Sequence, residues 1–259
     1  KTQLIAEHRI DSLIVANFYN DFRNLSAHDF ATILVKLNVK HLVLGDDFRF
    51  GHDRTGDSEF LRAFGLPVQI LHTVTDHAHQ DERVSSTRIR DCLQQGDLAT
   101  AKHLLGRDYA ITGMVEHGDK IGRTLDFPTA NIALNRIKPA LHGIFAVSVT
   151  ATDGTDLSTL GKNSQTGVQG LTKGSLFGAC NVGTRPALKN KYGVEWRLEV
   201  NFPKFDGDLY GRELTVTFLH FLHGEKNYAG LDALKQGIAQ DVVDLLDWRE
   251  QQAFAKSVP

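Results

Sequence analysis

The chain has 259 residues, more than one compact core usually serves, so two domains are expected. Apolar residues make up 41% and charged residues 23%, the proportions of an ordinary globular protein. Of 29 basic and 31 acidic residues, 12 and 14 lie up to Gly106 and 17 of each beyond it, so neither half is basic and neither nucleic acid nor an anionic membrane is expected as a partner.

In chain order, Lys1 to His8 reads as the middle of a helix, which suggests that an N-terminal piece is missing. "DSLIVANF" (11–18) reads as a strand. "SAHDFATILVKLN" reads as a helix capped by Ser26. "HLVLG" (41–45) is short and wholly apolar, as in a parallel strand buried on both faces, and "LPVQILHTV" is another strand. "SSTRIRDCLQQGDLATAKHLLG" reads as two helices broken at Gln95-Gly96. Strands alternating with helices predict an α/β layer with a parallel sheet up to residue 106.

After Arg107 the texture changes. "YAITGMVEHG", "GIFAVSVTA", "SLFGACNVG", "GVEWRLEVNF" and "ELTVTFLHFL" are β-rich runs, several alternating with period two, which predicts a sandwich or a closed antiparallel barrel. Leu231, Leu234, Ile238, Val242, Leu245 and Leu246 repeat at helical spacing and predict a C-terminal helix. Residues 153–175 are rich in Gly, Ser and Thr and read as a long surface loop. No apolar run approaches the roughly 20 residues of a membrane span. No signal peptide is recognised, and Cys92 and Cys180 read as reduced thiols, so a cytoplasmic protein is expected.

Walker A, G-x-G-x-x-G, H-E-x-x-H and G-x-S-x-G motifs are all absent from the sequence. His72, His77 and His79 have no usual zinc spacing and read as a solvated loop. "GDKIGR" places Gly118 and Gly122 with Lys120 and Arg123, a loop able to cradle polyphosphate, although such turns are common. Pro128 then stiffens the chain ahead of Thr129 and Asn131. On an extended segment those two face one way and present a hydroxyl and an amide carbonyl, hard oxygen donors suited to Mg²⁺; the competing reading is that they satisfy turn backbone. Glu195, Arg197, Glu199 and Asn201 share one face of a strand, on the inner or rim side of a barrel. Glu199 is a candidate general base, against the alternatives of an ion pair with Arg197 or a solvated outer face, which periodicity does not separate.

"IGRTLDFPTANI", "CNVGTRP", "LEVNFPKFDGDLYGREL" and "LDALKQGIAQDV" together resemble a riboflavin kinase module. "VLGDDFRFGHDRTGD" and "SSTRIRDCL" resemble the adenylyltransferase module of the bacterial bifunctional riboflavin kinase/FAD synthetase family. The resemblance runs from about Lys1 to about Leu246. It implies a partial Rossmann-like nucleotidylyltransferase module over 1–106, lacking its N-terminal part, and a six-stranded Greek-key barrel with a C-terminal helix over 107–259. The activity it implies is phosphorylation of riboflavin to FMN with Mg-ATP, in an enzyme that also adenylylates FMN to FAD. Glu199 is then the catalytic base, nine positions before Asp208, and Thr129 and Asn131 hold Mg²⁺. Gly118, Lys120, Gly122, Arg123, Thr129, Asn131, Ser85, Ser86, Thr87 and Arg88 bind nucleotide; a helix start at Ser85 or Ser86 favours phosphate. Phe48, Arg49, Phe50, Asn181, Arg185 and Tyr210 bind flavin, with the two phenylalanines as ring walls or, on the plainer reading, as core.

The chain departs from the family pattern. No His-x-Gly-His occurs, so FAD synthesis is expected to be impaired in this chain. Asp126 stands where glycine is usual, Ala187 where threonine is usual, and His223 where arginine is usual after Phe-Leu. A flavin-binding module without catalysis and a flavin-dependent redox barrel are the alternatives. Oligomeric state is left open.

Overall fold

The computed structural model describes residues 2–77, 81–118, 127–134, 138–161, 173–186 and 194–257. Contacts divide the chain into two units, Lys1–Arg83 and Val84–Pro259. The two helices predicted between 85 and 106 thus cluster with the barrel residues.

In the first unit, α1 spans Thr2–Glu7, α2 Asn20–Arg23 and α3 Ala27–Lys36. Ser26 caps α3 as expected: its hydroxyl accepts the Asp29 N–H at 3.0 Å and donates to the Asp29 carboxylate at 2.6 Å. β1 (Leu42–Gly45), α4 (Ser58–Ala63) and β2 (Val68–Leu71) form a βαβ unit, its strands parallel from Leu42↔Val68 to Gly45↔Leu71. A short antiparallel pair follows, β3 (Thr75–Asp76) with β4 (Glu82–Arg83). Ala27, Ala31, Phe50, Leu61 and Leu66 form the core, with Phe30, Phe48, Phe60 and Phe64 packed against it.

Two sequence readings are corrected here. Residues 11–18 form no strand, and Ile14 and Val15 are 77% and 75% exposed. An apolar, β-branched run suits a strand, but a strand exists only where a neighbour takes its hydrogen bonds. β1 is not buried on both faces: Leu42 and Leu44 pack against the core while Val43 is exposed.

In the second unit, α5 (Ser86–Gln95) and α6 (Leu98–Leu105) are separated at Gly96, as the sequence predicts. The barrel strands are β5 (Ala110–Glu116), β6 (Thr129–Ile132), β7 (Gly143–Ala151), β8 (Leu176–Pro186), β9 (Val194–Asn201) and β10 (Glu213–His223). They close in the order β10-β5-β6-β9-β8-β7, every contact antiparallel. β7, β8 and β9 are consecutive neighbours, and β10 returns to lie beside β7, which is a Greek key. Ile132, Phe145, Val147, Cys180, Leu198 and Val216 fill the interior.

The C-terminal helix α7 (Leu231–Ser257) covers part of the barrel's outer wall. Fully buried Leu245 meets Ala146, Phe177 and Ala179, and Trp248 stacks on His220 at 5.2 Å between ring centroids. This explains why "GIFAVSV" in β7 is buried throughout: one face lines the interior and the other lies under neighbouring structure.

Candidate active site

The site lies on the barrel's outward face. Along β9, Leu198 and Val200 point into the core, so Arg197, Glu199 and Asn201 point out. The same alternation sends Ala130 and Ile132 of β6 inward and Thr129 and Asn131 outward, and Cys180 and Val182 of β8 inward and Asn181 outward. Of the faces the sequence left open for Glu195–Asn201, the structure takes the outer one: the interior is filled by apolar side chains, and a carboxylate there would be unsolvated and unpaired. Register does the rest. Glu199 lies opposite Asn131 on one side and Asn181 on the other, and Asn201 lies opposite Thr129.

These residues line a cavity of about 280 Å³ with Ile144, the 223–228 segment and Leu234, Ile238 and Val242 of α7. One wall is an apolar helix face and the other is the polar patch. A second cavity, of about 380 Å³, is lined by Val115, Pro128, Phe202, Phe205, Asp208 and Tyr210. Thr129 borders both. A third hollow holds Gly118, Asn131, Glu195, Trp196 and Arg197.

Within the patch, Arg197 donates to Glu199 at 3.3 Å and lies 3.6 Å from Glu195, so it anchors both carboxylates. The ion pair weighed as an alternative for Glu199 is present. Glu199 nevertheless borders the Thr129–Asn131 cavity, whereas Glu195 borders the third hollow. The Asn201 amide donates to the Pro128 carbonyl at 3.0 Å and so ties β9 to the start of β6. Among the described residues, Asn181 Oδ1 and Asn201 Oδ1 are buried with no hydrogen-bond partner. Buried acceptors without a donor are unfavourable and point to a ligand or cation that completes them. Below the patch, burial pushes the Cys180 thiol up, with the Glu199 charge adding to it, so this cysteine is an inert core residue.

The donor set suits Mg²⁺. Thr129 and Asn131 are one strand-repeat apart on the same face, as their spacing predicted, and offer neutral oxygens. Gly118 makes room for that amide, since a Cβ at 118 would collide with the Asn131 side chain. Among the described residues no group of three or more His, Cys, Asp or Glu can hold a metal, and His77 instead pairs with Asp81 at 2.5 Å.

Of the other predicted site residues, Tyr210 lies on the second cavity, its ring 4.0 Å from that of His117. Arg185 is on β8 opposite Glu195, its side chain outside the described residues. Lys120, Gly122, Arg123, Asp126, Ala187 and His79 also lie outside them, as do residues 162–172 of the predicted 153–175 loop. Ser85 Oγ accepts the Arg88 N–H at 3.2 Å, so Ser85 caps α5, with Ser86 and Thr87 in its first turn. In the first unit Phe50 is 7% exposed and lies over Gly56 as part of the core; Phe48 stacks on it at 5.6 Å, and Arg49 donates to the Phe48 carbonyl. Sequence reasoning missed Glu225, bonded to His142 at 2.8 Å, and Asp241, bonded to His223 at 2.7 Å. No local motif marks either pair, because the partners are 83 and 18 residues apart.

The riboflavin kinase family model matches residues 105–248, the span of the six-stranded barrel and most of its C-terminal helix. The FAD synthetase model matches residues 1–88. The bifunctional riboflavin kinase/FMN adenylyltransferase of Escherichia coli K12 is 37% identical over 244 residues, 93% of this chain and 71% of that protein. The Pseudomonas fluorescens protein of the same name is 39% identical over 90% of this chain and 69% of that one. The chain belongs to the bifunctional riboflavin kinase/FMN adenylyltransferase family. A solved Streptococcus pneumoniae structure titled a macrolide-efflux protein matches at TM-score 0.68 and 26% identity, over 95% of this chain and 73% of that one. Among the described residues here no helix is long and apolar enough to cross a membrane.

Proposed function

We propose that the barrel unit transfers the γ-phosphoryl group of Mg-ATP to the 5′-hydroxyl of riboflavin, and that adenylylation of the resulting FMN to FAD is impaired in this chain, which has no His-x-Gly-His. The observation that carries the kinase reading is Thr129, a wall common to two adjoining cavities, with Asn131 and Glu199 beside it in one of them. Two substrates must meet at one point for direct transfer, and phosphoryl transfer needs chiefly positioning and charge stabilisation there.

Flavin is assigned to the cavity under α7. Its ring is flat and largely apolar and suits the Leu234–Ile238–Val242 face, and the polar patch faces the ribityl chain. ATP is assigned to the second cavity, where Phe202 and Phe205 offer apolar surface for a base; this assignment moves Tyr210, which the family resemblance gave to flavin, to the nucleotide side. Thr129 and Asn131 hold Mg²⁺, which when bound neutralises charge on the phosphates. Glu199 accepts the 5′-hydroxyl proton. The flavin oxygen bonds to the γ-phosphorus, the bond from that phosphorus to the bridging oxygen breaks, and ADP departs with the electron pair. Arg197 keeps the Glu199 carboxylate aimed into the cavity. Ser85 to Arg88 at the α5 N-terminus, and Phe48, Arg49 and Phe50, belong to the adenylylation half of this reading. We place the module boundary at Gly106 and the protein in the cytoplasm.

The test is chromatography of flavins after incubation with ATP, with and without Mg²⁺. FMN that forms only with both supports the reading; riboflavin bound but never converted would reduce the barrel to a binding module.

A further inference from the structure

The last residue of β10 is His223, and both of its ring nitrogens are engaged. Nδ1 lies 2.7 Å from the Gly224 carbonyl oxygen, and Nε2 lies 2.7 Å from Asp241 Oδ1 on α7. A carbonyl oxygen only accepts, so Nδ1 carries a hydrogen. The contact between Nε2 and Asp241 then needs one further proton, placed on either atom. With it, the pair is an imidazolium–carboxylate or an imidazole–carboxylic acid bond. Without it, a lone pair faces a carboxylate and the bond is gone. The side chains are 18% and 12% exposed, so water replaces the lost bond poorly.

The contact joins the barrel to α7 at the wall of the Glu199 cavity, which both residues line. An arginine at 223, the residue usual in the family pattern, stays charged at every working pH, whereas the His–Asp pair exchanges one proton with solvent. We propose that His223 and Asp241 form a one-proton clasp that holds α7 against the barrel, so that the flavin cavity loosens when the proton leaves. The flavin part rests on the kinase reading.

Other charges facing the pair are Glu225 and Lys226 in the following segment, Arg197 and Glu199 across the cavity, and Asp244 on α7. Tyr228, which lines the same cavity, is the neutral titratable neighbour. Burial, against the opposing pull of His223 and Lys226, holds the Asp241 carboxyl above its usual range. The bond holds while the pair keeps its one proton and is lost when rising pH removes it, so stability falls with pH across that step. Burial, with Asp241 beside it, also raises the Tyr228 hydroxyl, which leaves Tyr228 uncharged while the clasp opens.

The full chain is titrated in two ways. Without flavin, the His223 ring nitrogens are followed by NMR and thermal stability is measured against pH. Separately, riboflavin binding is measured by fluorescence quenching without ATP. We expect one proton to leave with a fall in Tm, and riboflavin Kd to weaken about tenfold across the same titration, the size of one charge-assisted hydrogen bond. His223→Arg should flatten both profiles. Asp241→Asn should do the same, because its amide donates to Nε2 without titrating. Unchanged profiles in either folded variant overturn the clasp. A Tm profile that follows the ring while riboflavin Kd stays constant overturns the link to flavin. Failure to bind riboflavin at any pH defeats the kinase reading instead, and the ring titration with its Tm profile still decides the clasp.

Discussion

The two units place their polar groups differently. In the first unit they gather at the carboxyl ends of parallel strands: just past β1, Asp46 accepts the Thr73 N–H at 2.8 Å, which lowers its carboxyl, and Asp47 pairs with Arg83 at 2.5 Å, which lowers that one. In the second unit they stand along strand faces, on β6, β8 and β9. The difference follows from what each sheet leaves open. The parallel pair packs one face on its core and offers ligands its strand ends. A small closed barrel fills its inside with side chains and has no free edge, so chemistry goes to its outer wall. A covering helix then makes that wall a cavity.

The sharpest way to break this contrast is Glu199→Gln, which keeps size and hydrogen bonding but removes proton acceptance. FMN formation from riboflavin should fall about 10²–10⁴-fold, roughly 3–5 kcal/mol in barrier, and whatever FAD formation from supplied FMN the chain retains should be unchanged. If both activities fall together, the two sites are not separate. A stability effect of similar size is expected in the other unit. Phe50→Ala removes the buried centre of the aromatic cluster and should cost about 3–5 kcal/mol, read as a lower denaturant midpoint for that unit. A cost well under 1 kcal/mol would show that Phe50 is not a packing residue.

Thr129→Ala and Asn131→Ala come next. Each should weaken Mg-dependent turnover about 10–100-fold, the range for losing a buried polar contact of ~1–3 kcal/mol, with little change in Tm. Loss of Tm with normal turnover would make them turn-satisfying residues instead. Gly118→Ala should act through the same amide: its new methyl displaces Asn131, and the Mg²⁺ concentration needed for half-maximal rate should rise several-fold. Glu195→Gln is the smallest. It faces the third hollow, and turnover should stay within about twofold, as for a rim residue outside the chemistry. If Glu195→Gln is the inactive variant, the base sits four residues upstream of Glu199.

Much of this protein is local in origin and so is legible in its sequence. The Ser26 and Ser85 caps, the break at Gly96, period two in β5, β9 and β10, and the spacing of Thr129 and Asn131 each depend on a few consecutive residues. The resemblance of "PTANI" and "DLYG" to a riboflavin kinase likewise lies in short motifs. Period two says that Glu199 and Leu198 face opposite ways, but not which of them faces the core. Barrel closure decides that, because only one face of β9 can be packed inside. Register with β6 and β8 then sets Asn131 and Asn181 on either side of Glu199, across gaps of 68 and 18 residues that no pattern spans. The same holds for residues 11–18, strand-like in sequence yet exposed, and for His223, whose partner Asp241 comes from a helix folded back over the barrel. Side-chain periodicity belongs to a segment; hydrogen-bond partners and burial belong to the whole fold.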